Sequence, residues 1–275
     1  MSQIRVACVQ MRSGTGVAEN IAAATALIRE AAAGGAQLIA TPEMTTLLDR
    51  KPGAVWEKST TEAADPGLAA FRALAKELGV TLLIGSIAIR SEGEKCANRS
   101  FLIGSDGEVI TTYDKIHMFD VQLNAGNIYR ESDSYAAGSA AVIADVPDAK
   151  LGLTVCYDVR FPDLYRALAW AGAKIIAVPA AFTRITGEAH WHILLRSRAI
   201  ETGCFIIAPA QGGKHQDGRE TFGHSLIIDP WGEILAEGGV DPGVIIATLD
   251  LAKVDDVRGK VPSLKHVRPF KVVEA

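Results

Sequence analysis

Short, almost unbroken apolar runs punctuate this chain, separated by Ala-rich stretches with helical periodicity. The runs lie at Ile4 to Gln10, Gly35-Ala-Gln-Leu-Ile-Ala-Thr-Pro42, Val80-Thr-Leu-Leu-Ile-Gly85, Leu151 to Cys156, Gly172-Ala-Lys-Ile-Ile-Ala-Val-Pro179 and Cys204-Phe-Ile-Ile-Ala-Pro209. Their length suits strands, and their lack of polar alternation predicts strands covered on both faces. Helices are predicted over Val17 to Ala33, Asp163 to Ala171 (opening near Pro162) and roughly Gly187 to Thr202. Two glycine-turn hairpins are predicted, Phe101 to Ile110 and Ser225 to Leu235.

The order of these elements repeats. Gly35 to Pro42 reads almost like Gly172 to Pro179, and each follows an Ala-rich helix that itself follows a strand ending near a cysteine. Each half reads strand, helix, strand, helix, strand, hairpin. The pattern predicts two related α/β halves stacked sheet on sheet with helices outside. No Pro/Ser-rich linker parts them, so one domain over residues 1–275 is expected. Tyr113 to Ala140 is the longest stretch without periodicity, and such a loop in a compact domain is usually functional or mobile.

Bulk properties narrow the function. With 48 % hydrophobic and 22 % charged residues, a large core is expected and disorder is not. The net charge of −4 and the lack of a basic motif speak against nucleic acid. The first residues enter a strand-like run without signal-peptide character, and no apolar run is long enough to span a membrane. Cys8, Cys96, Cys156 and Cys204 are widely spaced, which argues against disulfides or zinc and for a reducing cytoplasm.

Candidate chemistry sits at element exits. Cys156 ends an apolar strand before a polar turn and a helix, where backbone N–H groups and the positive helix end favour a thiolate. Glu43 ends the first echoed strand, and Lys115 follows the first hairpin. A carboxylate, an ammonium and a thiol together suffice for acyl transfer: base, oxyanion partner and nucleophile. Taken singly, a Glu or Lys is ordinarily a solvated charge, and a cysteine is as often a small core residue.

The wording goes further. Thr41-Pro-Glu43, Tyr113-Asp-Lys-Ile-His117, Val155-Cys-Tyr-Asp-Val-Arg-Phe-Pro162, Pro179-Ala-Ala-Phe182, Thr186 to Trp191, Arg196 to Glu201, Gly223-His-Ser225 and Asp229-Pro-Trp-Gly232 follow one another in order. In this the chain resembles the nitrilase superfamily of carbon–nitrogen hydrolases over essentially its whole length. The resemblance implies a four-layer α-β-β-α sandwich with two pseudo-symmetric halves. It implies a catalytic Glu43–Lys115–Cys156 triad, a second glutamate at Glu131, and an oxyanion hole made by Lys115 and the N–H of Tyr157. No cofactor or metal is implied. A homo-oligomer, dimer or higher, is implied, with Leu164, Tyr165, Leu168, Trp170 and Ile193 to Ile200 as candidate interface residues.

Within the superfamily the chain is most similar to the Nit subgroup, amidases for deaminated glutathione and ω-amidases for α-ketoglutaramate-like acids. The wording at Arg198 to Thr202 and Ala208 to Gly212 lies nearer the former. Met118 to Asn127 lacks the proline-glycine wording of the latter. Arg160, Phe182 and Thr186 match substrate-contacting positions, and a guanidinium suits two-point capture of a carboxylate. Ordinary readings stand beside them: Phe182 as a core aromatic, Thr186 as the cap of a helix from Gly187. His190, His192 and Glu188 have poor spacing for a metal. Gln211 to His215 reads as a flexible pocket rim, and Gly218 to Gly223 as a segment that closes over substrate. The expected function is an amidase acting on a small carboxylate-bearing amide through a cysteine thioester. Other superfamily amidases or carbamoylases, and a non-catalytic binding protein on this fold, are the alternatives.

Overall fold

Two mixed sheets with matching strand orders carry the chain, in a computed structural model describing residues 3–91, 93–124 and 127–274. The first half runs β1 (Gln3–Gln10), α1 (Val17–Ala33), β2 (Leu38–Ala40), α2 (Ala54–Lys58), α3 (Pro66–Leu78), β3 (Thr81–Arg90), β4 (Cys96–Ile103) and β5 (Val109–Asp114). A ribbon of β6 (Asp120–Asn124) and β7 (Asn127–Arg130) and a short β8 (Tyr135–Ala136) fill the stretch expected to be a loop. The second half runs β9 (Val142–Val146), β10 (Ala149–Leu153), α4 (Pro162–Trp170), β11 (Ile175–Ala177), α5 (Arg184–Thr202), β12 (Phe205–Ala208), β13 (Gly212–Lys214), β14 (Glu220–Phe222), β15 (Leu226–Ile228) and β16 (Ile234–Glu237). The chain closes with β17 (Gly243–Asp250) and α6 (Ala252–Lys260).

The sheets run β17-β1-β2-β3-β4-β5 and β9-β10-β11-β12-β15-β16. In each, three parallel strands are followed by two antiparallel ones and flanked by an antiparallel edge strand. The pseudo-symmetry therefore extends to the edge strands, with β8, paired to β4, as an addition to the first sheet alone. The edge strands β9 and β17 were not legible as repeats because one precedes its half and the other closes the chain.

Side-chain alternation builds the four layers. Ile4, Val6 and Cys8, with Leu38, Ala40, Leu83 and Leu102, pack toward Leu151, Leu153 and their neighbours in the other sheet. Ala7, Val9, Ile39, Leu82, Ile84 and Phe101 turn outward against Ala24, Ile28, Phe71 and Leu74 of α1 and α3. On the far side α4 and α5 cover the second sheet with Leu164, Tyr165, Leu168, Trp191 and Leu195. Asp65 caps α3 by accepting from Leu68 N at 2.8 Å, and Pro66 occupies its first turn. Gly79 ends α3 at φ 65°, a left-handed conformation that glycine adopts without strain. This layering corrects part of the interface expectation: Leu164, Tyr165 and Leu168 belong to their own core, whereas Trp170, Ile193 and Ile200 are exposed.

Candidate active site

Glu43, Lys115, Glu131 and Cys156 meet on the floor of one cavity of about 570 Å³ between the two halves. Each arrives from the exit of a strand or turn. Glu43 follows β2 in a turn tied by Thr41 Oγ1, which accepts from Gly85 N at 3.0 Å, and by Thr45 Oγ1, which donates to Pro42 O at 2.7 Å. Gly85 is required here: a Cβ would stand 2.1 Å from Thr41 O and 2.6 Å from Pro179 Cβ. This close approach brings the exits of β2 and β11, one from each half, against the same point.

Lys115 is 1 % exposed. Its Nζ donates to Glu43 Oε1 and to both oxygens of Glu131, all at 2.8 Å. Asn98 Nδ2 donates to Oε1 of each glutamate at 3.0 Å, Ala181 N to Glu43 Oε2 at 2.9 Å, and Phe119 N to Glu131 Oε2 at 2.7 Å. The carboxylates are thus fixed from several elements and need no reorganisation to act.

Cys156 opens a one-turn 3-10 segment, Cys156–Arg160, at φ 49°. A left-handed non-glycine residue costs about 1–2 kcal/mol, and such strain collects at functional sites. Cys156 N donates to Pro179 O at 2.8 Å, and the wholly buried Asp158 locks the turn. Asp158 accepts from Val155 N at 2.8 Å, Tyr113 Oη at 2.7 Å and His117 N at 3.1 Å. From the other side, Arg198 Nε of α5 donates to Val159 O at 2.8 Å. The segment around Lys115, just past β5, and the turn bearing Cys156 are therefore pinned together.

The electrostatics define the resting state. Burial pushes the Cys156 thiol well up, and the charge of Glu43 beside it adds to the effect, outweighing Lys115. Burial also opposes charge on Glu43 and Lys115, but their mutual attraction prevails. Glu43 stays below the usual carboxylate range, and Lys115, also facing Glu131, lies well above the usual lysine value. Both directions favour a thiol facing an ionised base, the pairing in which the carboxylate can take the thiol proton. Desolvation and the neighbouring carboxylate overcome the short turn's few N–H groups.

Tyr157, Phe182 and Thr186 line the same cavity. Arg160 is not among its lining residues. Its guanidinium stands 5.3 Å from the Phe182 ring and 5.9 Å from that of Tyr157, with Nη2 3.3 Å from His190 Nδ1. Thr186 is not the cap of α5. Thr183 Oγ1 takes that position, accepting from Thr186 N at 3.4 Å, because the helix begins three residues earlier than predicted. Gln211 to His215 is not a rim. Gln211 is buried, its Nε2 donating to Ser13 Oγ at 2.7 Å and Glu43 O at 3.1 Å across the halves, while Gly218 to Glu220 reach the cavity. Within Met118 to Asn127, Ala125 and Gly126 lie outside the described residues; Phe119 lines the cavity. Elsewhere, Nε2 of His192 and Nδ1 of His224 converge on Glu237 Oε1 at 2.9 and 2.8 Å, the one cluster among the described residues whose donors are grouped as for a metal.

Sequence reasoning missed Asn98, Asp158 and Gln211. The first lies in β4 beside Arg99 and Ser100, a polar patch within a buried strand where an unpaired amide would be costly. The other two carry no comparable signal.

A thiol, a carboxylate and an ammonium converging between two pseudo-symmetric sheets define a nitrilase-type hydrolase. The carbon–nitrogen hydrolase family pattern matches residues 5–259, and the chain belongs to that family, as an amidase of carbon–nitrogen bonds. It is 40 % identical over 270 residues to the deaminated glutathione amidase of Synechocystis sp., covering 97 % of this chain and 98 % of that one. The NitFhit protein of C. elegans superposes with a TM-score of 0.90 at 31 % identity, over 98 % of this chain and 66 % of that one. An amidase from Nesterenkonia sp. AN1, with acrylamide added at its active-site cysteine, superposes with a TM-score of 0.79 at 26 % identity over 94 % of this chain and 98 % of that one.

Proposed function

We propose that this amidase hydrolyses deaminated glutathione through a thioester on Cys156. The observation that carries the reading is the Lys115 ammonium bridging Glu43 and Glu131 on the cavity floor beside the thiol. The name of the 40 %-identical relative supports the substrate. In the proposed reaction Glu43 takes the thiol proton as sulfur attacks the amide carbonyl carbon. The oxyanion develops against the Lys115 ammonium and the Tyr157 N–H. Glu43 then gives the proton to the departing nitrogen, the C–N bond breaks, and the amine leaves. Water, deprotonated by Glu43, attacks the thioester; the C–S bond breaks and the thiol is restored. Glu131 holds Lys115 throughout.

Phe182 and Thr186 serve as acyl-side walls in this reading, with Arg160 behind Phe182 for a carboxylate that reaches past the ring. Parallel kinetics on deaminated glutathione and α-ketoglutaramate test the assignment. The expected result is a kcat/KM favouring the former; negligible rates on both would remove it.

A cytoplasmic setting fits the four free, buried cysteines, and no helix among the described residues is long and apolar enough to cross a membrane. A homo-oligomer fits the exposed Trp170, Ile193, Ile200 and Trp231. Ile193→Glu combined with Ile200→Glu should shift sedimentation toward a monomer. An unchanged sedimentation coefficient in the double variant would exclude this face.

A further inference from the structure

The cavity wall carries positive charge that the floor does not use. Lys115 is consumed by Glu43 and Glu131, and Arg184 pairs with Glu220 at 2.9 Å. Arg219 is different. Its Nε is buried and has no hydrogen-bond partner. The nearest carboxylate contact of its guanidinium is Asp217 Oδ2, 3.7 Å from Nη2 and beyond hydrogen-bonding range. Asp217 is already engaged elsewhere: Oδ2 accepts from Arg50 N at 3.0 Å and Oδ1 from Arg219 N at 2.9 Å.

Asp217 therefore fastens the backbones of two arginines from opposite halves while leaving the Arg219 side chain without a hydrogen bond among the described residues. Arg50 lies alongside. Its Nη2 is 3.5 Å from the position a Cβ on Gly218 would take, one residue before Arg219. Both arginines line the cavity, Arg50 exposed and Arg219 half-buried. A desolvated guanidinium N–H without a partner is unfavourable in the free protein, and an oxygen arriving with a ligand relieves that. A carboxylate suits the planar fork best, since it accepts two parallel bonds.

We propose that Arg219, assisted by Arg50, forms a carboxylate subsite that reads the free carboxylate on the amine side of the substrate. The proposal rests on the amidase reading above and adds the recognition of the leaving group. The chemistry assigns the side. The acyl group stays fixed to Cys156 on the floor after the first step, whereas the amine must depart by the open part of the cavity, where Arg50 is exposed. A peptide-like amine ending in a carboxylate, as in deaminated glutathione, presents its charge there. An amide whose leaving group is ammonia has nothing to offer this subsite.

The test compares deaminated glutathione with the same compound carrying a terminal carboxamide in place of the carboxylate of its leaving group. In the wild type the carboxylate form should be preferred by roughly 10- to 100-fold in kcat/KM, mainly through KM. Arg219→Gln should bring that ratio close to one, Arg219→Lys should retain part of it, and Arg50→Gln should lower it less. Because each ratio is taken within one protein, a loss of folded enzyme cancels. A wild-type ratio near one, or an Arg219→Gln ratio equal to the wild type's, overturns the subsite while leaving the amidase reading intact. Wild-type inactivity on both compounds overturns the substrate reading and the subsite with it.

Discussion

Cys156→Ala is expected to lose on the order of 10⁴- to 10⁶-fold in kcat, because no other group can form the acyl bond. The geometry makes this more than a statement about a missing atom. Glu43 and Lys115 keep their hydrogen bonds in the alanine protein, since neither is held by the sulfur alone. The variant should therefore fold, bind substrate and fail only in chemistry. Burial and the Glu43 charge hold the thiol protonated at rest, so ultraviolet difference spectra between wild type and variant should show no thiolate near neutral pH. Rapid quench and mass spectrometry should find an acyl adduct on the wild type and none on the alanine protein. A clear thiolate signal in the free enzyme would overturn the proton transfer from thiol to Glu43. Residual turnover above roughly 1 % in the alanine protein would sink covalent catalysis itself.

The sequence made the architecture readable where buried parallel strands force apolar runs. The paired phrases ending at Pro42 and Pro179 became β2 and β11, each the middle strand of its parallel trio. What stayed hidden depends on contacts between distant segments. The ribbon β6–β7 lies outside the two large sheets, and the polar-apolar alternation of Asp120-Val-Gln-Leu-Asn124 is too short to stand out from a loop. Asp158 looked like one more charge in a turn, yet it is the acceptor that joins that turn to Tyr113 and His117. Arg219 reads as an ordinary loop cation, and its unpaired Nε is visible only in three dimensions. The surroundings of the thiol were hidden for a related reason. The local sequence shows only a turn and a helix end, whereas burial comes first in raising the thiol and the charge of Glu43, brought from the other half, adds to it.

Lys115→Met isolates what that convergence is worth. The substitution keeps an unbranched apolar stem but leaves two buried carboxylates, Glu43 and Glu131, with Asn98 as their shared remaining donor. Removing one partner of a buried charge network costs about 3–5 kcal/mol, which corresponds to a Tm lower by roughly 10 °C at neutral pH for a chain of this size. The sign of the pH dependence separates this from a simple packing defect. In the wild type the raised Lys115 pKa contributes stability fully below the unfolded value of about 10.4, and the contribution is lost as pH rises through the folded value. The depressed Glu43 pKa contributes above about 4.3 and is lost as pH falls through its folded value. Between those limits the network's contribution to wild-type stability should be flat. Without the ammonium, burial dominates at Glu43 and raises its pKa. The variant should then become relatively more stable as pH falls from about 8 to 5 and a proton replaces the lost charge. Calorimetric Tm profiles of the two proteins should converge toward acid pH, and parallel profiles would refute the charge argument. Turnover should not return with stability: a shared proton restores the cluster's net charge but supplies neither the free base nor the oxyanion partner, so a kcat loss on the order of 10²- to 10³-fold should persist at every pH.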